Sequence, residues 1–166
     1  LLEHFGGHKY AAGLSMKPEN LPEFQRRFEE YVSQHLVAED SVPEIEVDLK
    51  IRFSDITPKF MRILNQFAPF GPGNLAPIFW TDDIYDTGTS RPVGDHRHLK
   101  LTVAQKGDKE LGLAPFSGIA FSQGKHYERI HSGELFSICY HLEYNTWQGK
   151  TTLQLNVKDI KLAGEI

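Results

Sequence analysis

The second half of the chain is built from short segments that favour β-strands, separated by glycine-containing and charged turns such as Lys106-Gly107-Asp108. Several short strands with turns between them predict a small barrel or a sandwich, and five or six strands with one helix fit a small barrel. The strand-favouring segments span residues 77–80, 83–88, 98–105, 110–121, 135–145 and 151–162.

An amphipathic helix is predicted near the start of the chain. Asn20 is a suitable N-cap, Pro22 suits the first turn, and Glu23 follows the cap by three residues, close to a capping box. We expect this helix to cover one side of a domain, the alternative being an exposed aromatic docking stripe. Apolar residues recur at helical spacing at Leu21, Phe24, Phe28, Val32 and Leu36.

The segment between the two halves reads as a linker followed by a strand and a helix. Residues 38–43 are acidic and polar and end in proline, which favours a linker. Strict alternation over 44–51 predicts a half-buried strand. Thr57 and Pro58 suit the N-cap and first residue of a second helix, which must end before Pro69.

Near the N-terminus, Gly6, Gly7 and His8 form a compact polar segment. Adjacent glycines permit a positive φ and a close approach of backbone to ligand, and histidine can donate a hydrogen bond or pair with phosphate. We therefore expect a loop that grips a substrate. An ordinary turn is the alternative interpretation of the same three residues.

Two sets of motifs resemble known families. The pattern Gly-Gly-His-x-x-Ala-Ala-Gly at 6–13 resembles the DHH-associated domain of DHH-family phosphoesterases. Pro-Phe-Gly-Pro-Gly-Asn at 69–74, followed by Pro-Ile-Phe at 77–79, resembles the RecJ family of single-strand-specific 5′→3′ DNA exonucleases. Further blocks of that family are matched in the same order at residues 98–101, 145–149, 153–155 and 157–160.

The resemblance implies an α+β chain. Residues 1–40 would be the C-terminal part of a partial α/β DHH-associated domain, and residues 41–166 a small OB-like β-barrel with one or two helices. Because the chain begins at Leu1 inside what the resemblance implies is a domain, we expect a C-terminal fragment of a RecJ-like exonuclease that acts in DNA repair and recombination. The fragment would contribute substrate binding, not metal catalysis.

The family's divalent metal, Mn or Mg, is bound by an upstream DHH domain, and no Asp-His-His triplet occurs in this sequence. We therefore expect no catalytic residue and no metal ligand here, and no hydrolysis by the fragment alone. The implied partners are single-stranded DNA, the missing N-terminal DHH domain of the same protein and DNA-repair proteins.

Six residues are the candidate substrate contacts. The resemblance implies that Gly6, Gly7 and His8 contact the nucleotide or phosphate beside the metal centre of the missing domain. Lys100 and Lys158 could meet phosphates, and Trp147, in an apparent hairpin turn at 145–149, could stack on a base. For Trp147 core packing, and for Lys100 a solvated strand edge, are the alternatives. The 69–74 segment is assigned to architecture, with Asn74 locking its turn.

Composition says more about the cellular compartment of the chain than about its function. The net charge of −4 does not by itself indicate a nucleic-acid binder, although basic residues gather late in the chain. A single cysteine, Cys139, excludes an internal disulfide and suits a reducing cytoplasm, where a buried structural thiol is expected. No apolar run approaches the roughly 18 residues of a membrane span, and the first residues do not show a signal-peptide pattern.

Two other functions remain open at this point. The chain could belong to a different DHH-family phosphoesterase, one that acts on short oligonucleotides or cyclic dinucleotides. It could also be a non-enzymatic docking module that recruits a protein through the acidic face of its first helix.

Overall fold

The computed structural model describes residues 1–8, 10–35, 44–162 and 164. The chain divides into two compact units, Leu1–Ile45 and Glu46–Ile166. The predicted linker at 38–43 and the predicted domain boundary between residues 40 and 41 lie outside the described residues.

The first unit contains a β-hairpin and a helix. Strand β1 (Leu2–His8) pairs antiparallel with β2 (Ala11–Met16), and a short 3-10 turn leads to helix α1 (Leu21–His35). The loop conformation predicted for Gly6, Gly7 and His8 is therefore wrong, because these residues end β1 and neither glycine has a positive φ. Their contact with a substrate stays a prediction.

The need for glycine at position 7 comes from close strand approach. Gly7 pairs with Ala12, and a Cβ on Gly7 would lie 2.8 Å from the Ala11 carbonyl oxygen and 2.9 Å from Ala12 atoms. A Cβ on Gly6 would have no other atom within 4 Å. Small residues thus let β1 and β2 approach closely, which is a packing requirement and not a turn requirement.

Helix α1 begins at Leu21, with Pro22 in its first turn as predicted. The Asn20 side chain donates to the Leu1 carbonyl at 3.2 Å, while Glu23 accepts from Arg26 instead of completing a capping box. The helix is amphipathic, but none of its described residues is buried, and Phe28 is 58% exposed. Leu36, the last residue of the predicted apolar face, lies outside the described residues.

Over its described residues, the second unit consists of a sheet, two α-helices and short 3-10 turns. The helices are α2 (Pro58–Leu64) and α3 (Tyr127–His131). The strands are β3 (Leu49–Lys50), β4 (Phe79–Asp86), β5 (Arg91–Val93), β6 (His98–Gln105), β7 (Phe116–Ala120), β8 (Phe136–Trp147) and β9 (Lys150–Leu162).

Five of these strands close on themselves. Strand β4 pairs antiparallel with both β6 and β8, β6 pairs with β7, β7 lies parallel to β9, and β9 returns to β8. Strands β3 and β5 extend the sheet from β4 and β6. A closed five-stranded circuit of this kind is an OB-like barrel, so the predicted mixed α+β class with an OB-like domain is confirmed.

Several predicted boundaries are wrong. The strand expected over 44–51 is reduced to Leu49–Lys50, and residues 44–50 are exposed, because this segment has only β4 as a neighbour and only one edge to pair. The segment 110–121 forms a strand only at Phe116–Ala120. Strand β5 and helix α3, three and five residues long, are too short to leave a periodic signal.

Start and stop signals around α2 are confirmed. The Thr57 hydroxyl accepts from the Phe60 amide at 3.1 Å, as an N-cap does. The helix ends at Leu64, and a 3-10 turn follows before Pro69. Asn74 locks the connecting segment as predicted, since its side-chain amide donates to the carbonyls of Phe67 and Pro69 at 2.8 and 2.9 Å.

The barrel interior is apolar. Cys139 is buried on β8 as expected, and burial raises the pKa of its thiol. The fully buried aliphatic residues include Ile84, Leu99, Leu101, Val103, Ile130, Ile138 and Leu155.

None of the helices in the described part of the chain is long and apolar enough to cross a membrane.

A buried hydroxyl pair joins three segments inside this core. The Thr81 hydroxyl donates to the Ile51 carbonyl at 2.8 Å and lies 2.8 Å from the Tyr140 hydroxyl. Because Thr81 has one proton to give, Tyr140 must be the donor in the second bond. Both side chains are fully buried, and burial raises the pKa of Tyr140 above its ordinary value.

We expect Tyr140→Phe to lower the free energy of unfolding by about 1 kcal/mol and Thr81→Val by about 3 kcal/mol. The difference arises because valine leaves both the Tyr140 hydroxyl and the Ile51 carbonyl buried without a partner. Urea unfolding followed by circular dichroism measures both values. Tyr144→Phe, which removes a hydroxyl from a 53% exposed ring, is the matched control. If Tyr140→Phe costs no more than this control, the buried bond does not stabilise the barrel.

Candidate nucleic-acid interface

One outer face of the barrel forms a groove. The groove lies across strands β6 to β9 and encloses about 600 Å³. Its walls combine aromatic rings, two lysines, one carboxylate and several uncharged polar groups. The lining residues are Lys100, Ser117, Ile119, Phe121, Glu143, Asn145, Trp147, Lys150, Thr152 and Gln154.

Strand alternation explains which side chains reach the groove. Successive residues of a strand point to opposite faces of a sheet. On β9, Leu155 and Val157 point into the core, so Thr152 and Gln154 face outward. On β8, Glu143 lies opposite Gln154, and Trp147 lies opposite Lys150. The groove therefore receives the polar half of two alternating strands.

Trp147 stands near the tip of a projecting hairpin, as the sequence predicts. Gln148 and Gly149 connect β8 to β9 with φ values of 48° and 78°, and two positive values in a two-residue loop match a type I′ turn. Strand β4 pairs with β8 only over 136–140, and β7 pairs with β9 only over 155–157. Residues 144–153 thus form a two-stranded ribbon that leaves Trp147 72% exposed.

The structure brings Lys100 and Trp147 into the same groove, together with Lys150. Lys158 is placed differently. It is half-buried on β9, outside the set of lining residues, and its ammonium donates to the Asn156 side-chain oxygen at 3.3 Å. Of the three predicted DNA contacts of the barrel, two are therefore lining residues and the third supports a neighbouring amide.

Sequence reasoning missed Phe121, which is 56% exposed at the edge of the groove. The His98 ring meets it edge to face, with centroids 5.3 Å apart, and the His98 Nδ1 accepts from the Ser122 amide at 2.9 Å. A single phenylalanine just beyond a strand gives no signal that separates a groove residue from a core residue. His98 is thus a structural support for this ring.

The other predicted contacts lie in the first unit. Gly6, Gly7 and His8 border an apolar hollow together with Phe24 and Phe28. The His8 Nδ1 accepts from the Tyr10 amide at 3.3 Å, so one ring nitrogen holds the adjacent turn. The Nε2 atom of this exposed side chain has no hydrogen-bond partner among the described residues.

The acidic face of α1 is largely neutralised within the helix. Arg26 forms ion pairs with Glu23 and Glu30, and Arg27 forms a second pair with Glu23. Hydrogen bonds from Arg26 and Arg27 lower the pKa of Glu23 to about 2. This pairing weakens the hypothesis that the helix recruits a basic partner.

The described residues of this chain do not provide a set of ligands for a divalent metal ion. Over the ranges that the structure describes, no three His, Cys, Asp or Glu side chains come together as a possible metal site.

Comparison with known proteins relates the chain to one family. The model of the RecJ OB domain matches residues 47–159. The single-stranded-DNA-specific exonuclease RecJ of Bacillus subtilis is 30% identical over 159 residues, which cover 96% of this chain and 20% of that protein. The protein of the same name from Thermus thermophilus is 32% identical over 161 residues, covering 97% of this chain and 21% of that protein.

Solved structures agree with this relation. The crystal structure of RecJ in complex with Mg²⁺ from Thermus thermophilus matches with a TM-score of 0.67 at 26% identity, over 97% of this chain and 23% of that one. The chain thus spans about a fifth of the length of these relatives. Because the family model matches more than half of the sequence, including four strands of the closed barrel and most of the fifth, the chain belongs to the RecJ OB domain family.

Proposed function

We propose that this chain is the single-stranded-DNA-binding part of a RecJ-like 5′→3′ exonuclease that works in DNA repair and recombination in the cytoplasm. The observation that supports this most directly is the position of the groove. OB-type barrels bind oligonucleotides on the face of their second and third strands and on the loop between strands four and five. Here those elements are β6, β7 and the β8–β9 hairpin, which contribute Lys100, Phe121 and Trp147.

The groove residues suit a strand without a fixed sequence. An exposed indole offers a stacking surface to any base, because every base has a π-face. Lys100 and Lys150 offer positive charge to phosphates, and the Lys158 ammonium adds to the field of the same sheet. The chain's own role is to bind and orient the strand.

For the first unit we propose the end of a DHH-associated domain, with Gly6, Gly7 and His8 contacting the nucleotide beside a metal centre. The support is the motif resemblance together with an exposed His8 whose Nε2 has no partner in the described part of the chain. The Thermus thermophilus RecJ structure described above is a complex with Mg²⁺, and a second crystal structure of that protein is a complex with Mn²⁺. In our proposal the remaining length of a RecJ-like protein holds that metal.

The chain should bind single-stranded DNA in the micromolar range or weaker at physiological salt, and the affinity should fall as salt rises. Titration of a labelled oligonucleotide at two salt concentrations measures this. The paired change Lys100→Glu and Lys158→Glu should weaken binding and flatten the salt slope, while Trp147→Ala should weaken binding at both salts.

Matched variants separate these effects from general damage. Lys125→Glu alters the same charge in a 3-10 turn outside the groove, and Tyr144→Ala removes an exposed ring from the opposite face of the same ribbon. Both should bind nearly as the unchanged chain does. Tight binding that ignores salt would contradict the electrostatic part of this proposal.

The chain alone should not cleave DNA. Hydrolysis of a phosphodiester by this route requires a metal-activated nucleophile, and no fitting ligand set is found among the described residues. Incubation of the pure chain with single-stranded DNA and Mn²⁺, read out on a denaturing gel, tests this. Cleavage that persists after a second purification step would overturn the expectation.

In a RecJ-length protein that contains this segment, His8→Ala should lower turnover at least tenfold with little change in the melting temperature. His4→Ala is the matched control, since His4 is exposed on the same strand and has no proposed role. Wild-type activity of His8→Ala would show that the ring only holds the Tyr10 turn. A large loss of stability would point to the same structural role.

A further inference from the structure

Glu143 is an unexpected residue in a groove proposed to bind a polyanion. It lies half-buried on β8, opposite Gln154. One carboxylate oxygen accepts from the Asn156 side-chain amide at 3.1 Å. No basic side chain of the described residues forms an ion pair with it. The groove thus contains one carboxylate whose charge is not neutralised by a direct partner.

The orientation of Asn156 is fixed from both ends. Its Oδ1 accepts from the Lys158 ammonium at 3.3 Å, and its Nδ2 donates to Glu143. A flip of the amide would place a donor against the ammonium and an acceptor against the carboxylate, so both contacts would be lost. Lys158 and Asn156 therefore hold the Glu143 carboxylate in place, and Lys158 is a positioning residue for it.

A fixed carboxylate determines which part of a DNA strand can lie over it. Phosphate is repelled, because two negative charges a few ångströms apart cost free energy at a partly buried site. Phosphates are better placed near Lys100 and Lys150, while a base edge can lie over Glu143. Along β8, Glu143 is four residues from Trp147, about 13 Å at 3.3 Å per residue, so this base is not the one that stacks on the indole.

Carboxylate chemistry then discriminates among bases. An ionised carboxylate only accepts hydrogen bonds. Cytosine offers its N4 amino group and adenine its N6 amino group, whereas thymine presents O4 as an acceptor and a methyl group at the corresponding edge. At the 4-position thymine therefore has an acceptor where cytosine has a donor. The remaining thymine donor, N3–H, lies between the O2 and O4 carbonyls, which both repel an approaching carboxylate, whereas the cytosine amino group has C5–H on its open side and gains a charge-assisted bond.

We propose that Glu143, held by Asn156 and Lys158, reads one base of the bound strand and favours amino-bearing bases over thymine. The proposal rests on the proposed function of the groove. It adds a base preference to a site whose other groups, an indole and two lysines, are indifferent to sequence.

The test compares two pyrimidine oligonucleotides of equal length, oligo-dC and oligo-dT, bound to the unchanged chain and to Glu143→Gln. Pyrimidines stack similarly, so the comparison isolates the edge groups, and oligo-dU controls for the thymine methyl. We expect the unchanged chain to bind oligo-dC about fivefold more tightly than oligo-dT and oligo-dU. Glu143→Gln, whose amide both donates and accepts, should bring that ratio close to one and should bind oligo-dT more tightly than the unchanged chain does.

Glu128→Gln, on the exposed surface of α3, makes the same charge change outside the groove and should keep the original ratio. Asn156→Leu should reduce the ratio, because it releases the carboxylate. An equal affinity for dC and dT, or a preference that survives in Glu143→Gln, would overturn the base-reading proposal while leaving the groove as a DNA site. Failure to bind any oligonucleotide would instead overturn the proposed function.

Discussion

The barrel depends on a hydrogen-bonded pair of hydroxyls in its interior. Thr81 on β4 connects the Ile51 carbonyl on one side with Tyr140 on β8 on the other. Each of these groups would be costly to bury alone, so the pair fixes how β4 meets β8 and where the chain before α2 lies. The rest of the core cluster is aliphatic and aromatic, with Phe53, Phe79 and Phe136 among its buried residues, and supplies free energy without comparable directionality. The positions of β4, β8 and the segment before α2 relative to one another are therefore set by a few polar atoms.

That constraint reaches the groove through β8. The strand is anchored by Tyr140 in the core and continues for seven residues to Trp147, so one element is both barrel wall and hairpin. A second polar cluster lies on the same strand pair, where Asp82 accepts from Ser137 and from the Trp80 indole. Burial alone would raise the pKa of Asp82, but hydrogen bonds from Lys50, Ser137 and Trp80 lower it overall. The part of β8 that pairs with β4, residues 136–140, is thus held at several points.

Local signals in the sequence predicted the local structure well. Thr57, Asn74, the hairpin at 145–149 and strand β6 were all found as expected, because caps, turn residues and alternation act over a few residues. Partner-dependent features were not predictable. The alternation at 44–51 lacks a second neighbouring strand, and Gly7 serves strand approach and not a turn. Glu143 meets Asn156 only through the pairing of β8 with β9. Phe121 reaches the groove only once the barrel closes.

The projecting ribbon has a mechanical consequence. Between residues 144 and 153 its hydrogen bonds run only between its own two strands, so neither edge is tied to the barrel. Bending such an arm at its base breaks no bond to a neighbouring strand, and segments of this type lie at the low end of local stability. Trp147 therefore lies on a ribbon that can bend, whereas Lys100 lies on β6, which is paired on both sides within the sheet. A DNA strand bound in the proposed groove would therefore meet one contact that can move and one that stays fixed.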